Sequence, residues 1–445
     1  MRRSSPRHLM RAVVLALCVS ALVTTSARAT RRLTPLPDAP IVDAAAFRGQ
    51  GALAVVWADR LLLLDGDNRT LASVPRPGII TAMAWSADGR WLAYSAASSA
   101  AASYLGGSLW VVRRDGRGAH RVAGLPPTAG AFSWSPTADT LAVGTDPGAP
   151  GAMSLWLAGP AERAHRLSAG AAGAWSPDGT VLAYAATLPF TSPQGRSDAL
   201  YTVPVAGGVA RDRYVSKDNG ISVVGWWPDG KGLVFFVDPL HSASLAADGL
   251  DLYSLALDPR IGAPRLLTMA LPHVGWLAPS PSGHDLLLVA GAGREVWTGK
   301  ALAVCNVRAA ACRTLAQPPR VVSLDPAWSA SGARIAYVRA RDEGSIGGFG
   351  SSRGLLAWVE TRTLWVADAN GGGARRLTAA GTGIYDPQWS RDGGHVLYLR
   401  DDALWLIPTG GAVPTRIVGP FPGPFDLTGY YGYVSWAGVF AWSRT

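Results

Sequence analysis

The sequence predicts an all-β fold, a β-propeller of eight four-stranded blades, with a seven-bladed ring as the alternative. Three observations carry this. A unit of apolar residue, Trp, Ser, tight turn and alternating strand recurs about every 50 residues, the range of propeller blades. Two further strand-like segments follow each unit, and no stretch of comparable length shows a 3.6-residue apolar period. The chain also ends on half a unit that its early segments would complete.

The core unit reads "AWSADGRWLAYS" at Trp85, "SWSPTADTLAVG" at Trp134, "AWSPDGTVLAYA" at Trp175 and "GWWPDGKGLVFF" at Trp226. It continues as "APSPSGHDLLLV" at Pro279, "AWSASGARIAYV" at Trp328 and "QWSRDGGHVLYL" at Trp389. Successive spacings are 49, 41, 51, 53, 49 and 61 residues, so the single Trp-to-Pro lapse leaves the register intact. Pro177-Asp178-Gly179 is a tight-turn sequence: Pro presets φ, Asp bonds nearby backbone and Gly takes the positive-φ position. It ends strand a and starts strand b. Leu182 and Tyr184 then alternate with Ala183, as a sheet packed on both faces requires. An indole at each repeat is large enough to fill the wedge between adjacent blades.

Strand c follows as Leu–aromatic in an apolar run, for example "SLWVV" (Leu109, Trp110) and "TLWVA" (Leu364, Trp365). Strand d is short and centred on Arg, as in "HRVA" (Arg121) and "RRLT" (Arg376). The C-terminal "VFAWSRT" matches strand a through Trp442 and stops, 53 residues after Trp389. Gly51–Trp57, Arg60–Asp65 and Asn68–Val74 resemble strands b, c and d. One C-terminal strand and three N-terminal strands would then close the ring as an eighth blade and remove two open sheet edges.

Composition fits this and narrows function. Hydrophobic residues make 48% of the chain and charged ones 16%, with 52 Gly, 32 Pro and 18 Trp, which suits turns and aromatic strands and argues against disorder. Residues 1–29 read as a secretory signal: an Arg-rich start, the apolar run Ala12–Val23, and a small-residue cleavage site at Ala27-Arg28-Ala29. That run is shorter than the roughly 20 residues of a membrane span. Cys18 lies in it behind Leu17, where lipid attachment would want a small residue, so it is expected to leave with the signal. The net charge of +10 falls to +5 once the five arginines of this leader go, and no Lys/Arg run marks a nucleic-acid surface. The expected organisation is a signal peptide (1–29), a flexible lead-in (30–40) and one propeller domain (41–445). The expected product is an exported monomer, periplasmic or extracellular, with no cofactor and no membrane span. Cys305 and Cys312 flank a short turn between two strand-like segments, a spacing suited to a disulfide across a hairpin in an oxidising compartment.

The pattern "WSPDGxxLAY…LWV…GGxxRxLT" resembles the TolB-type propeller repeat, also found in propeller domains of prolyl-oligopeptidase-type enzymes. The resemblance covers nearly all of residues 40–445, and "AWSPDGTVLAYA" and "DPQWSRDGGHVLYL" are its specific matches. It implies a fold and no chemistry. Neither the α/β domain that precedes the TolB propeller nor a hydrolase domain is expected here.

Candidate sites follow from loop topology. The a–b and c–d turns of a propeller share one face, and the b–c and d–a loops share the other. The long connections are all of the second kind: Ala96–Gly107, Thr187–Asp198, Asp238–Gly249, Arg339–Arg362 and Phe421–Tyr433. Loops free of a folding duty carry recognition, so this face is the expected working surface. Its candidate contacts are Tyr104, Phe190, Arg341, Phe349, Phe425, Tyr430 and Tyr431. Near the channel mouth the d–a loops add Asp218, His273, Asp325 and Asp386, and a b–c insertion adds His241. Such groups could hold a metal or supply acid–base chemistry if they converge. Asp325-Pro326 and Asp386-Pro387 also read as backbone caps at the entry to strand a. His120 and His165 are read as repeat-driven surface positions. Gly350-Ser351-Ser352-Arg353-Gly354 fits a nucleophile-elbow pattern but lies in a Gly/Ser-rich insertion and reads as a loop. Gly299-Lys300 lacks the Ser/Thr and first Gly of a phosphate loop. The expected function is non-catalytic binding of a protein or of a cell-envelope or extracellular polymer, with no nucleic acid. A secreted polysaccharide lyase or hydrolase and a TolB-like envelope component are the alternatives.

Overall fold

The computed structural model describes residues 39–99, 107–146, 153–170, 173–189, 196–381, 383–400, 402–421 and 431–445. Eight four-stranded antiparallel blades follow the repeats. Blades 2 to 5 begin with a Trp-bearing strand a: Ile79–Trp85, Ala129–Trp134, Ala174–Trp175 and Asn219–Trp226 in turn. Leu277–Pro279, Val321–Trp328 and Tyr385–Trp389 open blades 6, 7 and 8. Blades 5 and 6 are joined edge to edge by a single pairing, Ala270 with Ala290.

Blade 1 closes the ring. Phe440–Ser443 is its strand a, and it pairs antiparallel with Ala52–Val55 in the register Ala52 to Ser443 and Leu53 to Trp442. Arg60–Asp65 and Thr70–Pro75 complete that sheet. A second fastening lies outside the expected scheme. Ile41–Val42 adds a fifth strand to the outer edge of blade 8, opposite Gly419 and Val418, before the chain crosses to blade 1. Phe47, fully buried, stands between these two elements with its ring 6.2 Å from that of Trp442.

The turn after strand a owes its shape to the motif. Ser176 Oγ donates to Asp178 Oδ1 (2.6 Å) and accepts from the Val181 N–H (2.9 Å), so one hydroxyl ties the turn to the first residue of strand b. Gly179 sits at φ 71°, a left-handed conformation that glycine adopts without a Cβ clash. Ser86 with Asp88 and Ser390 with Asp392 repeat the arrangement.

The indoles do more than fill wedges. At six junctions the Nε1–H donates to a backbone carbonyl of the preceding blade: Trp85 to Ala441, Trp134 to Ala84, Trp175 to Ser133, Trp226 to Ala174, Trp328 to Ala278 and Trp389 to Ala327, at 2.8–3.2 Å. The acceptor is always the residue just before the preceding repeat's own Trp or Pro. Two junctions differ. Pro279 has no such donor, and Trp442 turns instead to the Gln50 carbonyl (2.6 Å).

Two inserted loops carry short helices. Ala243–Asp248 forms α1, and Ser352–Val359 forms α2 where a plain loop was expected. Ser351 caps α2 by accepting from the Gly354 N–H, and Trp358 within the helix is fully buried. Cys305 and Cys312 are opposite one another in the blade 6 hairpin and carry a disulfide. No helix of the described residues is long and apolar enough to cross a membrane.

Replacing Trp175 by Phe keeps a ring in the wedge and removes one inter-blade hydrogen bond. The expected loss is about 1 kcal/mol, and about 3 kcal/mol or more for Trp175→Ala. Equilibrium urea unfolding measures both; an unchanged midpoint for the Phe variant would remove the bond's assigned role.

Candidate functional site

Strand a of each blade faces the axis, and between blades 1, 2, 6, 7 and 8 the axis holds a cavity of about 520 Å³. It runs from the d–a loop end, at Val274–Trp276 and Tyr433–Ala437, to the a–b turn end at Ser86 and Arg444. Asp325, Asp386 and Gln388 line it, with Trp85, Trp276, Trp436 and Trp442.

Asp325 and Asp386 are repeat equivalents, each three residues before its blade's Trp and each followed by Pro. Both take positive φ (48° and 45°), where the pairing of strand a with strand b slips. The slip frees the two carboxyls for side-chain partners, so the expected role as backbone caps gives way to another. Asp325 accepts from Trp276 Nε1 (2.9 Å) and forms an ion pair with Arg362. Arg362 is almost fully buried; its Nε–H donates to the Ile384 carbonyl (2.8 Å), and its guanidinium lies 4.0 Å from the Tyr385 ring centre. Among the described residues Asp386 accepts only from Gln388 Nε2 (3.1 Å). Burial, and then the neighbouring Asp325 charge, push the Asp386 carboxyl up to about 6.

The C-terminal segment walls this end. Tyr433 stacks flat on His273 at 3.7 Å, Trp276 meets both rings edge-on, and Trp436 packs against Tyr385 at 5.3 Å. His273 is thus a buried ring in a stack. Burial, reinforced by Lys300, lowers it to about 3, so it stays neutral at any physiological pH. Tyr433 is pushed well above the ordinary phenol value, first by burial and then by the Asp325 charge.

The remaining candidates do not join this group. His241 Nε2 bonds the Arg196 carbonyl (2.8 Å) and lies 3.9 Å from Asp198, stitching the loops of blades 4 and 5. The Asp218 N–H donates to Ser197 Oγ (2.9 Å) in that same seam. Among the described residues no three His, Cys, Asp or Glu side chains come together as a metal would need. Arg341 is exposed and paired with Glu343. Phe349 and Tyr431 are half-buried and pack on Trp297, holding loops to one another instead of facing outward. Tyr104, Phe190, Phe425 and Tyr430 lie outside the described residues. His120 is no free surface ring: its Nε2 bonds the Pro160 carbonyl of blade 3 (2.7 Å). Lys300 is buried, its ammonium donating to the Ala292 and Thr298 carbonyls, and burial lowers it to about 8. Sequence reasoning missed Arg362, Gln388, Trp276, Tyr433 and Trp436. Of these, Gln388 had a local signal in its place beside a repeat Trp, and Trp276 in its place three residues before Pro279.

Solved structures are similar at low identity. Porphyromonas gingivalis dipeptidyl peptidase 4 matches 83% of this chain and 59% of its own at 11% identity, with a TM-score of 0.53. An oligogalacturonate lyase in complex with manganese matches 78% and 89% at 14% identity, TM-score 0.47. A putative TolB from Agrobacterium tumefaciens matches 78% and 98% at 16% identity, TM-score 0.37. The chain spans about half the length (52%) of the Pyrococcus horikoshii acylaminoacyl peptidase, which it matches over 76% of its own length at 12% identity, TM-score 0.45. No family model matches the sequence, and no curated protein matches it. The likeness is one of fold, the β-propeller.

The raised Asp386 value fixes the sign of a pH effect. A carboxyl that holds its proton more tightly when folded than when unfolded contributes stability below about pH 4, and that contribution is lost as pH rises toward 6. Asp386→Asn is therefore expected to stabilise the fold at pH 7 by on the order of 2 kcal/mol, with the advantage gone near pH 4. Urea titrations at both pH values test this; an equal effect at the two would contradict it.

Proposed function

We propose that the chain is an exported, non-catalytic β-propeller that binds a protein or an envelope or extracellular polymer through its b–c and d–a loop face. The channel cavity would take up a terminal group of that ligand. The observation that carries the reading is the cavity itself: it opens among the d–a loops and is walled by inward side chains of separate blades on a ring fixed by inter-blade bonds. Pre-formed concave sites of this size, mostly apolar with a few polar groups, suit ligand binding. The proposed organisation is an export signal over residues 1–29, a lead-in over 30–40 and one propeller domain over 41–445, acting as a monomer in the periplasm or the medium.

The paired carboxyls Asp325 and Asp386, one of them raised, give specific support to a second reading, a secreted hydrolase acting at the same mouth. The two readings separate on turnover.

Ser435 is exposed in the cavity wall, so Ser435→Trp would fill the space. A thermal-shift screen of peptides and envelope-polymer fragments is expected to give hits with the wild type that this variant loses at unchanged melting temperature. Hits that survive the substitution would place binding elsewhere, and consumption of a hit would favour the hydrolase. Mass spectrometry of the exported product is expected to find Thr30 as its first residue; retention of residues 1–29 would contradict export by cleavage.

A further inference from the structure

The two equivalent carboxyls of the channel differ in one respect that points to a ligand. Asp325 has both a donor and a counter-charge. The donor is Trp276, which occupies the corresponding position of the preceding blade, three residues before Pro279. The counter-charge is Arg362, two residues before Leu364 of strand c. In blade 8 both of these places hold acids. The corresponding residue of the preceding blade is Asp325 itself, and the residue two before Leu404 of strand c is Asp402. Among the described residues Asp386 therefore has an amide for a partner and no cation. It nevertheless lines the cavity, beside the ring systems of Trp276, Tyr433 and Trp436. Asp386 is partly buried, and a partly desolvated carboxylate without a counter-ion is disfavoured unless a cation is supplied or a proton taken up. Aromatic walls beside a carboxylate suit an ammonium group, through the ring quadrupole as well as the charge.

We propose that the group entering the channel is a primary ammonium, bound by Asp386 at the loop-face end of the cavity. This rests on the reading of the channel as the ligand site and names the chemistry of that site. Apart from Asp386, the groups facing this end are Asp325 with its Arg362 partner, Gln388 on the same strand, the Tyr433 phenol and, behind it, His273. Tyr433 is pushed far above the ordinary phenol value, His273 is lowered to about 3 and Lys300, which acts on His273, is lowered to about 8, so between pH 5 and 7 a pH dependence of amine binding reports on Asp386. A proton and an ammonium then compete for one carboxylate.

Ligand-observed NMR titration with n-butylammonium, and with 1-butanol as its uncharged counterpart, tests this on the full mature chain. The ammonium is expected to bind about tenfold more weakly at pH 5 than at pH 7, since only the ionised fraction of Asp386 is competent. Asp386→Asn is expected to abolish that binding while the protein melts no lower than the wild type, and Asp386→Glu to retain it. Should the Asn variant fail to fold, the Glu variant and the pH series still decide. Butanol binding as well as the amine would overturn the assignment of charge while leaving the channel a ligand site. No ammonium binding, or binding unchanged by pH or by Asp386→Asn, would overturn the proposal. The channel reading fails separately, on ligands that survive Ser435→Trp.

Discussion

One hydrogen bond recurs where the ring would otherwise come apart: an indole N–H reaching from a blade's innermost strand to the backbone of the blade before it. Sheets in a propeller share few backbone bonds, so cohesion between them rests on side-chain packing. A buried carbonyl at the inner seam would be costly if left alone. The indole supplies the missing donor and the apolar bulk at once. Where Pro279 interrupts the series, the single Ala270–Ala290 pairing connects the sheets instead. Where the chain ends meet, Trp442 turns inward to Gln50, and the shared sheet of blade 1 with the Ile41–Val42 strand on blade 8 takes over.

A scaffold fixed from its inner seam leaves the opposite ends of the strands free to vary. The inserted loops and both helices lie there, and so does the bulge that tips Asp325 and Asp386 out of their strands. Positive φ at a non-glycine residue followed by Pro is a strained arrangement that persists only where the surroundings impose it. Repetition also gives an internal control. Blade 7 shows what a satisfied carboxyl looks like in this position, and blade 8 shows the same carboxyl with its donor and its cation both replaced by acids. Function in a repeat protein is most visible where one copy departs from its neighbours.

The ring was legible because its determinants are local. The Trp-Ser-turn core and the Leu–aromatic strand are each short contiguous motifs, and the alternation of Leu182, Ala183 and Tyr184 reads directly as a strand. The split blade joins distant ends but was legible because each half carries the same local motifs. Even the Pro279 lapse kept register. The site was less legible because its contacts are not local. Arg362 meets Asp325 across 37 residues of chain, and nothing beside an arginine ahead of a strand announces that partner. Asp-Pro pairs are common turn formers, so their sequence suggested a backbone cap; the bulge that frees the carboxyl depends on the neighbouring strand. His273 carried the chemistry of a ligand in sequence and proves to be a neutral ring between aromatics. The helix α2 was hidden by its short length and by the Gly/Ser run that ends in its own cap.

All of this depends on head and tail sharing one sheet. Hydrogen–deuterium exchange of the native protein addresses that directly. The amides of Ala52–Val55 and Phe440–Ser443 are predicted to exchange as slowly as those of Val181–Thr187, an interior strand of blade 4, because each set opens only with the whole ring. Exchange of the terminal pair within seconds, while blade 4 remains protected, would contradict a closed eight-bladed ring.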